Sequence, residues 1–362
     1  MPDSGSQTLL YSARPTIRVD GTVQQLLAEQ DLVSLLVEES TLGLFRCEAN
    51  FRNWGPVSGG TSDYVYFDHQ VLDFGKAFSV EFGPPGATGP IFAGRITGIE
   101  ASYPSARIPE ILVLAEDRLQ DLRMERHTRS FENLGDADVI RQIASQNGLT
   151  AQVDVDGPIY KVLVQLNQSD LAFLRERVAA IGAELWIDNR TLYVQARSRR
   201  DAGQVSLTYG QDLLEFSVLA DLSQQRSSVS VTGWSVSDKA AITAQADQGV
   251  LGNELAGLSG GSTILAQALT QHQDTVARAT PFVQEEAQSM AQARYCARAR
   301  GFVRGTGVVD GNIKVRVGAN LSLSGLGPFF EGSYYVTRAR HSFTLQDGWR
   351  TTFDAERPGI GV

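Results

Sequence analysis

From residue 14 to about residue 120, apolar and polar side chains alternate in short runs, the two-residue period of strands that bury one face. RPTIRVDG alternates and stops at Asp20-Gly21, a tight-turn pair. In GLFRCEANFRNW, Leu44, Arg46, Glu48 and Asn50 fall on one face and Phe45, Cys47, Ala49 and Phe51 on the other. KAFSVEFG, PIFAGRITGIEASYP and PEILVLAED add three or four strands between Gly/Pro clusters, the spacing of a barrel or sandwich. The pattern predicts a first β domain over 14–125.

The period changes after Arg126. ADVIRQIASQ puts Val139, Ile140, Ile143 and Ala144 on one helical face, with Asp136 as its cap and Gly148 as its stop. AQVDVDG and KVLVQL read as a short strand pair. Ser169 caps a second helix carrying Leu171, Leu174, Val178 and Ile181, and Gly182 closes it. AELWI and TLYVQ then form a hairpin about Asp188-Asn189-Arg190. Residues 126–203 are therefore an α/β helix–hairpin domain.

Strand periodicity returns in QVSLTYG, LLEFSVLAD and SSVSVTGWSV, and again in VDGNIKVRVG, NLSLSGLG, EGSYYVTRARHSFT and GWRTTFDAER. This assigns 204–236 and 301–357 to a second β domain. The intervening 237–300 is an insertion. Its first part, 237–279, is Ala/Gln/Gly/Ser-rich with weak periodicity and reads as loop. Thr280-Pro281 then supplies an N-cap and a first-turn proline, whose missing N–H costs nothing there, for a helix of about 18–20 residues. Glu285 and Glu286 lie near its start, Arg294, Arg298 and Arg300 near its end, and Gly301 stops it, so its charges run with the helix dipole.

Composition narrows the function classes. Glycine is high, 35 of 362 residues, in keeping with many strand junctions. The net charge of -9 argues against general nucleic-acid binding, which needs a basic face. It divides as -7 over 1–135, -3 over 136–220 and +1 over 221–362, a polarity suited to two partners of unlike charge. Cys47 and Cys296 form no metal or disulfide framework. The opening MPDSGSQTLLYSARP lacks the pattern of a secretory signal, and no run is apolar enough for a membrane span, so the chain is expected to be made in the cytoplasm.

Catalytic patterns are sparse. Gly257-Leu258-Ser259-Gly260-Gly261 matches a nucleophile elbow, but ELAGL before it is not a convincing strand. His69, His127, His272 and His341 are scattered, and His341 is read as packing or hydrogen-bonding near a strand end. Glu38-Glu39 and Asp154-Asp156 offer paired carboxylates of the kind glycosidases use. Gly305-Thr306-Gly307 fails the dinucleotide fingerprint on spacing and context. Arg294, Arg298, Arg300, Arg304, Lys314 and Arg316 make the strongest basic stretch, read as a solvated face or a dock for an acidic protein. No catalytic, cofactor-binding or metal-ligating residue is assigned, and no cofactor is expected.

LNQSDLAFLR (166–175), IGAELW (181–186) and TLYV (191–194) resemble the signature of phage-tail baseplate hub proteins, the late control protein D family, which includes the hub portion of VgrG proteins of contractile injection systems. The C-terminal part resembles it too, in Gly311-Asn312, Gly318-Ala319-Asn320-Leu321, Gly325-Leu326-Gly327, FEGSYYV (330–336), His341 and GWRTTF (348–353). The matching structural positions are Ser169, Asp170, Phe173, Leu174, Gly182, Trp186, Gly318, Gly332, Tyr335 and His341. The resemblance implies an α+β, mainly β chain with two β-barrel-like domains joined by the helix–hairpin unit, assembling as a homotrimer. Six barrels then adapt a six-fold inner tube to a three-fold spike within a phage virion or injection particle. Tape-measure and baseplate wedge proteins are further expected partners. VgrG proteins continue into a spike, whereas this sequence stops at Val362, so a separate spike protein is expected. A tail-associated cell-wall hydrolase and a receptor- or glycan-binding tail-tip protein are the alternatives. An exposed aromatic cluster is the expected mark of the latter.

Overall fold

The computed structural model describes residues 14–57, 60–83, 88–235, 238–255, 257–276 and 281–361. The fold is α+β and mainly β, and thirteen strands hydrogen-bond into one sheet. The main path of that sheet runs Leu213–Ala220, Val303–Asp310, Gly348–Arg357, Gly332–Thr344, Leu32–Ser40, Arg46–Arg52, Glu110–Glu116, Gly89–Ser102, Ala77–Phe82, Thr16–Val19 and Thr22–Val23. Strands from 16–116 and from 213–357 meet where Leu32–Ser40 pairs antiparallel with Gly332–Thr344, in register from Ser34↔Thr344 to Ser40↔Arg338. The alternation read in the sequence explains the burial: Phe45, Cys47, Ala49 and Phe51 all face the core.

Each side of the seam has its own core. Phe51, Phe78, Phe82 and Val113 belong to the first, and Leu321, Val336 and Phe353 to the second. The Gly332–Thr344 strand serves both because a bulge between Val336 and Arg338 shifts its phase. Tyr334 and Val336 face inward before the bulge, and Ala339, His341 and Phe343 after it. His341 is thus fully buried in mid-strand rather than near a strand end. VDGNIKVRVG is also not a single strand. The strand ends at Asp310, and 311–319 are turns.

The middle unit surrounds a third core. Helix α1, Asp136–Gln146, buries Val139, Ile140, Ile143 and Ala144, but its N-cap is Gly135. Asp136 instead turns inward, where Arg177 binds it through two hydrogen bonds of 2.7 and 3.1 Å and Tyr160 donates at 3.0 Å. Helix α2, Asp170–Ala180, is capped by Ser169 Oγ, which accepts from the amide of Ala172. Gly182 follows at φ 67°, a left-handed conformation that glycine adopts without strain. Ala183–Asp188 and Thr191–Ala196 form the expected hairpin. AQVDVDG and KVLVQL are strands but do not pair with each other. Thr150–Asp154 lies parallel to Thr191–Ala196, and Ile159–Ser169 pairs with Arg126–Gly135 in a two-stranded ribbon.

The insertion is more regular than its composition suggests. Ser228–Ser235, read above as part of the second β domain, pairs instead with Ala240–Asp247 and Gln273–Val276 of the insertion in a separate three-stranded sheet, outside the thirteen-stranded one. Helix α3, Gly261–Ala268, lies between the second and third of these strands, and helix α4, Gln284–Arg300, follows the third, with Gly301 at its C-terminus. Ala287, Ala291, Tyr295 and Ala299 lie four apart on α4 and pack on Val229, Val231, Ala244 and Ala246. Small side chains give Ala240–Asp247 weak hydropathy periodicity, which is why 237–279 reads as loop in the sequence, whereas α4 is the helix expected there. Thr280 lies outside the described residues, and α4 begins at Gln284 beyond Pro281, with Glu286 accepting from the amide of Phe282 at 2.9 Å.

Candidate assembly surfaces

The signature residues lie in two buried networks and one isolated pocket. Asp170, at the start of α2, accepts hydrogen bonds from Arg129, Asn147 and Gln165 at 2.5, 2.9 and 2.9 Å. It ties the ribbon to both helices. Phe173 stacks on Phe131 at 5.9 Å and Leu174 is fully buried beside them.

The second network joins the middle unit to the far β half. Glu184 accepts from Arg200 at 2.7 Å and from the Tyr335 hydroxyl at 2.6 Å. Arg200 also lies over the Trp186 ring, donates to Val317 O at 3.0 Å and passes close over Gly318, whose φ is 93°. Trp186 in turn stacks on Tyr193 at 5.2 Å. Burial and the neighbouring Glu184 push the Tyr335 phenol well above its usual range. Gly332 sits near Arg357, whose guanidinium donates to Phe329 O and Glu331 O. His341 is apart from these, its Nδ1 3.0 Å from Thr351 Oγ1. Burial pushes its pKa down to about 3, so it is neutral at physiological pH.

The outer face of the sheet carries a ladder of alternating charge. Arg340, Glu38, Arg46, Glu116 and Arg95 are cross-strand neighbours on five successive strands, spanning the seam. Glu38 contacts Arg46 at 3.4 Å and Arg340 at 3.8 Å, and Arg338 reaches it at 3.4 Å. Successive residues of a strand face opposite ways, so Glu39 points inward to Arg316. Glu38 and Glu39 thus form no catalytic pair. Asp154 and Asp156 both bind Arg199, at 2.7 and 2.5 Å.

The remaining sequence candidates separate in the same way. Ser259 lies in a two-residue strand paired with Gly359–Ile360 and precedes α3, but no hydrogen bond joins it to a histidine among the described residues. Arg298, Arg300 and Arg316 of the basic stretch are engaged by Asp274, Glu254 and Glu39, which breaks up the patch. Gly305 and Gly307 are strand residues under the rings of Phe216 and Phe353. Cys47 and Cys296 are both free thiols. Among the described residues no His/Cys/Asp/Glu group of three or more is placed to hold a metal, and no helix is long and apolar enough to cross a membrane.

Two exposed apolar surfaces escaped sequence reasoning. Trp54, Tyr64, Phe67 and Tyr103 form a ring cluster around Tyr64, with centroids 5.3, 5.0 and 6.1 Å from it, and all four are exposed. Tyr103 joins across a long sequence gap, so no local pattern announces the cluster. On the ribbon, Ile159, Val162, Val164 and Leu166 are 49–71% exposed, although Leu163 between them is buried. The signal here was legible: Val162-Leu163-Val164 is apolar on both faces of one strand.

The fold is shared by tail proteins of known structure. Prophage MuSo2 43 kDa tail protein from Shewanella oneidensis superposes with a TM-score of 0.70 at 14% identity, covering 96% of this chain and 98% of that one. A tail protein from Neisseria meningitidis gives 0.67 at 11% identity, covering 97% and 98%. An Escherichia coli component of the type VI secretion system, described as similar to the T4 tail proteins gp27 and gp5, gives 0.61 at 13% identity and covers 94% and 76%. No curated protein matches the sequence. The model of the family described as Alg8 N-terminal domain matches residues 56–344, and the chain belongs to that family.

Proposed function

We propose that the chain is the structural hub of a contractile tail or injection-system baseplate, three copies forming a ring between a six-fold inner tube and a three-fold spike. The observation that carries this is the seam: one chain holds two β halves edge to edge in one sheet, so three chains supply six. Likeness to tail proteins along nearly the whole chain supports the same reading. The 14–125 region and the split region 204–236 with 301–357 act as the two ring elements, with 126–203 as the brace between them and the 237–300 insertion carried on the second. Tube, spike, tape-measure and wedge proteins are the partners, and the work is mechanical rather than enzymatic. In support, the carboxylate pairs considered for hydrolysis are each held by arginine.

Light scattering on the full chain tests the assembly. A mass near three times the 39.3 kDa chain is expected, alone or with tube and spike proteins. A strictly monomeric mass in all these mixtures overturns the reading. Clearing of peptidoglycan by the wild type, abolished in a Ser259→Ala or Glu38→Gln variant, would replace it with a hydrolase.

A further inference from the structure

The Ile159–Ser169 strand has apolar side chains on both faces, the composition of a strand covered from both sides. Leu163 and Gln165 on one face are buried in the middle unit; on the other, Tyr160 is buried at one end with its hydroxyl on Asp136, whereas Val162, Val164 and Leu166 stand open to solvent. Beside them lies a groove of about 430 Å³, lined by Ile159, Tyr160, Val162, Phe282, Val283 and, at its polar rim, Lys161 and Glu286. Lys161 makes no ion pair or hydrogen bond among the described residues. Among the described residues nothing covers this face.

The aromatic cluster supplies a surface of the opposite kind. Tyr64 holds Trp54 and Tyr103 edge-on, so the rings brace one another while remaining exposed. Large aromatic side chains that pack on one another yet stay in water are the usual anchors of protein interfaces. Asp63 and Asp68 flank the cluster, and each carboxylate accepts only a neighbouring backbone amide, with no cation beside it among the described residues. Closed rings of more than two copies are built from unlike, complementary patches on each chain. An apolar groove whose rim carries Lys161 without an ion pair, and an aromatic cluster flanked by carboxylates without a cation, are such a pair among the described residues.

We infer that the ribbon face and its groove receive the Trp54–Tyr64–Phe67–Tyr103 cluster of a second copy of this chain, with Lys161 meeting Asp63 and Asp68. The contact is head-to-tail and repeats around the ring. It rests on the ring assembly proposed above and names the surfaces that make it.

Mixed cross-linking in a Cys296→Ser background tests the contact, since Cys47 is buried. One preparation carries Val162→Cys and the other Tyr64→Cys, and a short bismaleimide is added to each alone and to the mixture. Covalent dimer is expected in the mixture and not in either preparation alone. Dimer from the Val162→Cys preparation alone overturns the inference in favour of a face-to-face contact. Lys161→Glu is expected to weaken association at least tenfold, and adding Asp63→Lys and Asp68→Lys to restore it. Melting curves of each variant, including the Cys296→Ser background, check that it remains folded; the residues changed at the two surfaces are all exposed. A trimer whose mass is unchanged by Val162→Asp and by Trp54→Ala removes these surfaces while leaving the ring intact. A wild-type monomer in every mixture removes the ring itself. Glycan binding that is lost in Trp54→Ala, with the trimer unchanged, gives the cluster to a sugar instead.

Discussion

The middle unit and the large sheet use charge in opposite ways. In the middle unit, Asp136 and Arg177 are taken into the interior, where each is bound by two hydrogen bonds and the Tyr160 hydroxyl completes the set. On the sheet, Arg340, Glu38, Arg46, Glu116 and Arg95 alternate along an outer face in contact with water. A buried pair adds little over an apolar substitute, but loss of one partner strands the other, so it enforces one arrangement of its helices. The exposed ladder is screened, and its members are replaceable one at a time. Charge in the first place specifies geometry, and in the second keeps a broad face hydrated.

The sharpest way to break the contrast is Asp136→Ala, which leaves Arg177 buried without its carboxylate. It should lower unfolding free energy by about 3–5 kcal/mol in a urea titration. A loss below about 1 kcal/mol would place this pair with the ladder.

Buried titrating groups give the next effect, and two of them act in opposite directions. His341 has its pKa lowered to about 3 from 6.5, so below pH 6.5 the unfolded chain binds a proton that the folded chain refuses. Stability should fall by about 1.4 kcal/mol per pH unit as pH drops from 6.5 toward 3. His341→Gln should flatten that slope. Asp117, buried near Phe45, is pushed up to about 7 by desolvation even though two backbone amides donate to it. Its contribution is present in full below about 4 and is lost as pH rises toward 7, a falling slope that Asp117→Asn should remove.

Smaller still is the cap of α2. Ser169→Ala should cost about 1 kcal/mol, read as a lower melting temperature, because one amide loses its acceptor. The smallest effect belongs to the ladder: Glu38→Gln should change stability by about 0–1 kcal/mol, and raised salt should abolish the difference. A larger, salt-insensitive loss would mean that the seam depends on its outer face.

The strands and helices were largely legible because each buries one face and its period follows the backbone. Val139, Ile140, Ile143 and Ala144 declare α1, and the Ser169 cap with Gly182 declares α2. Exceptions arise where burial does not need large apolar groups. The alternating alanines of 240–247 pack closely yet carry little hydropathy contrast, whereas the equally small alanine stripe of α4 is declared as a helix by its charges along the dipole and by Gly301. Asp136 looks like a cap because Asp often caps helices, but the arginine that claims it lies 41 residues away.

The sequence by itself determined the element types, the mainly β class and the scarcity of catalytic patterns, since local side-chain period and turn chemistry decide these. Partnering was decided only by the tertiary structure. The ribbon pairs 126–135 with 159–169, the seam joins 32–40 to 332–344, and Tyr103 reaches Tyr64, all through contacts between segments far apart in the chain. A strand's period says which face is buried but not which strand lies beside it, because the hydrogen-bonding edge is the same backbone in every sequence.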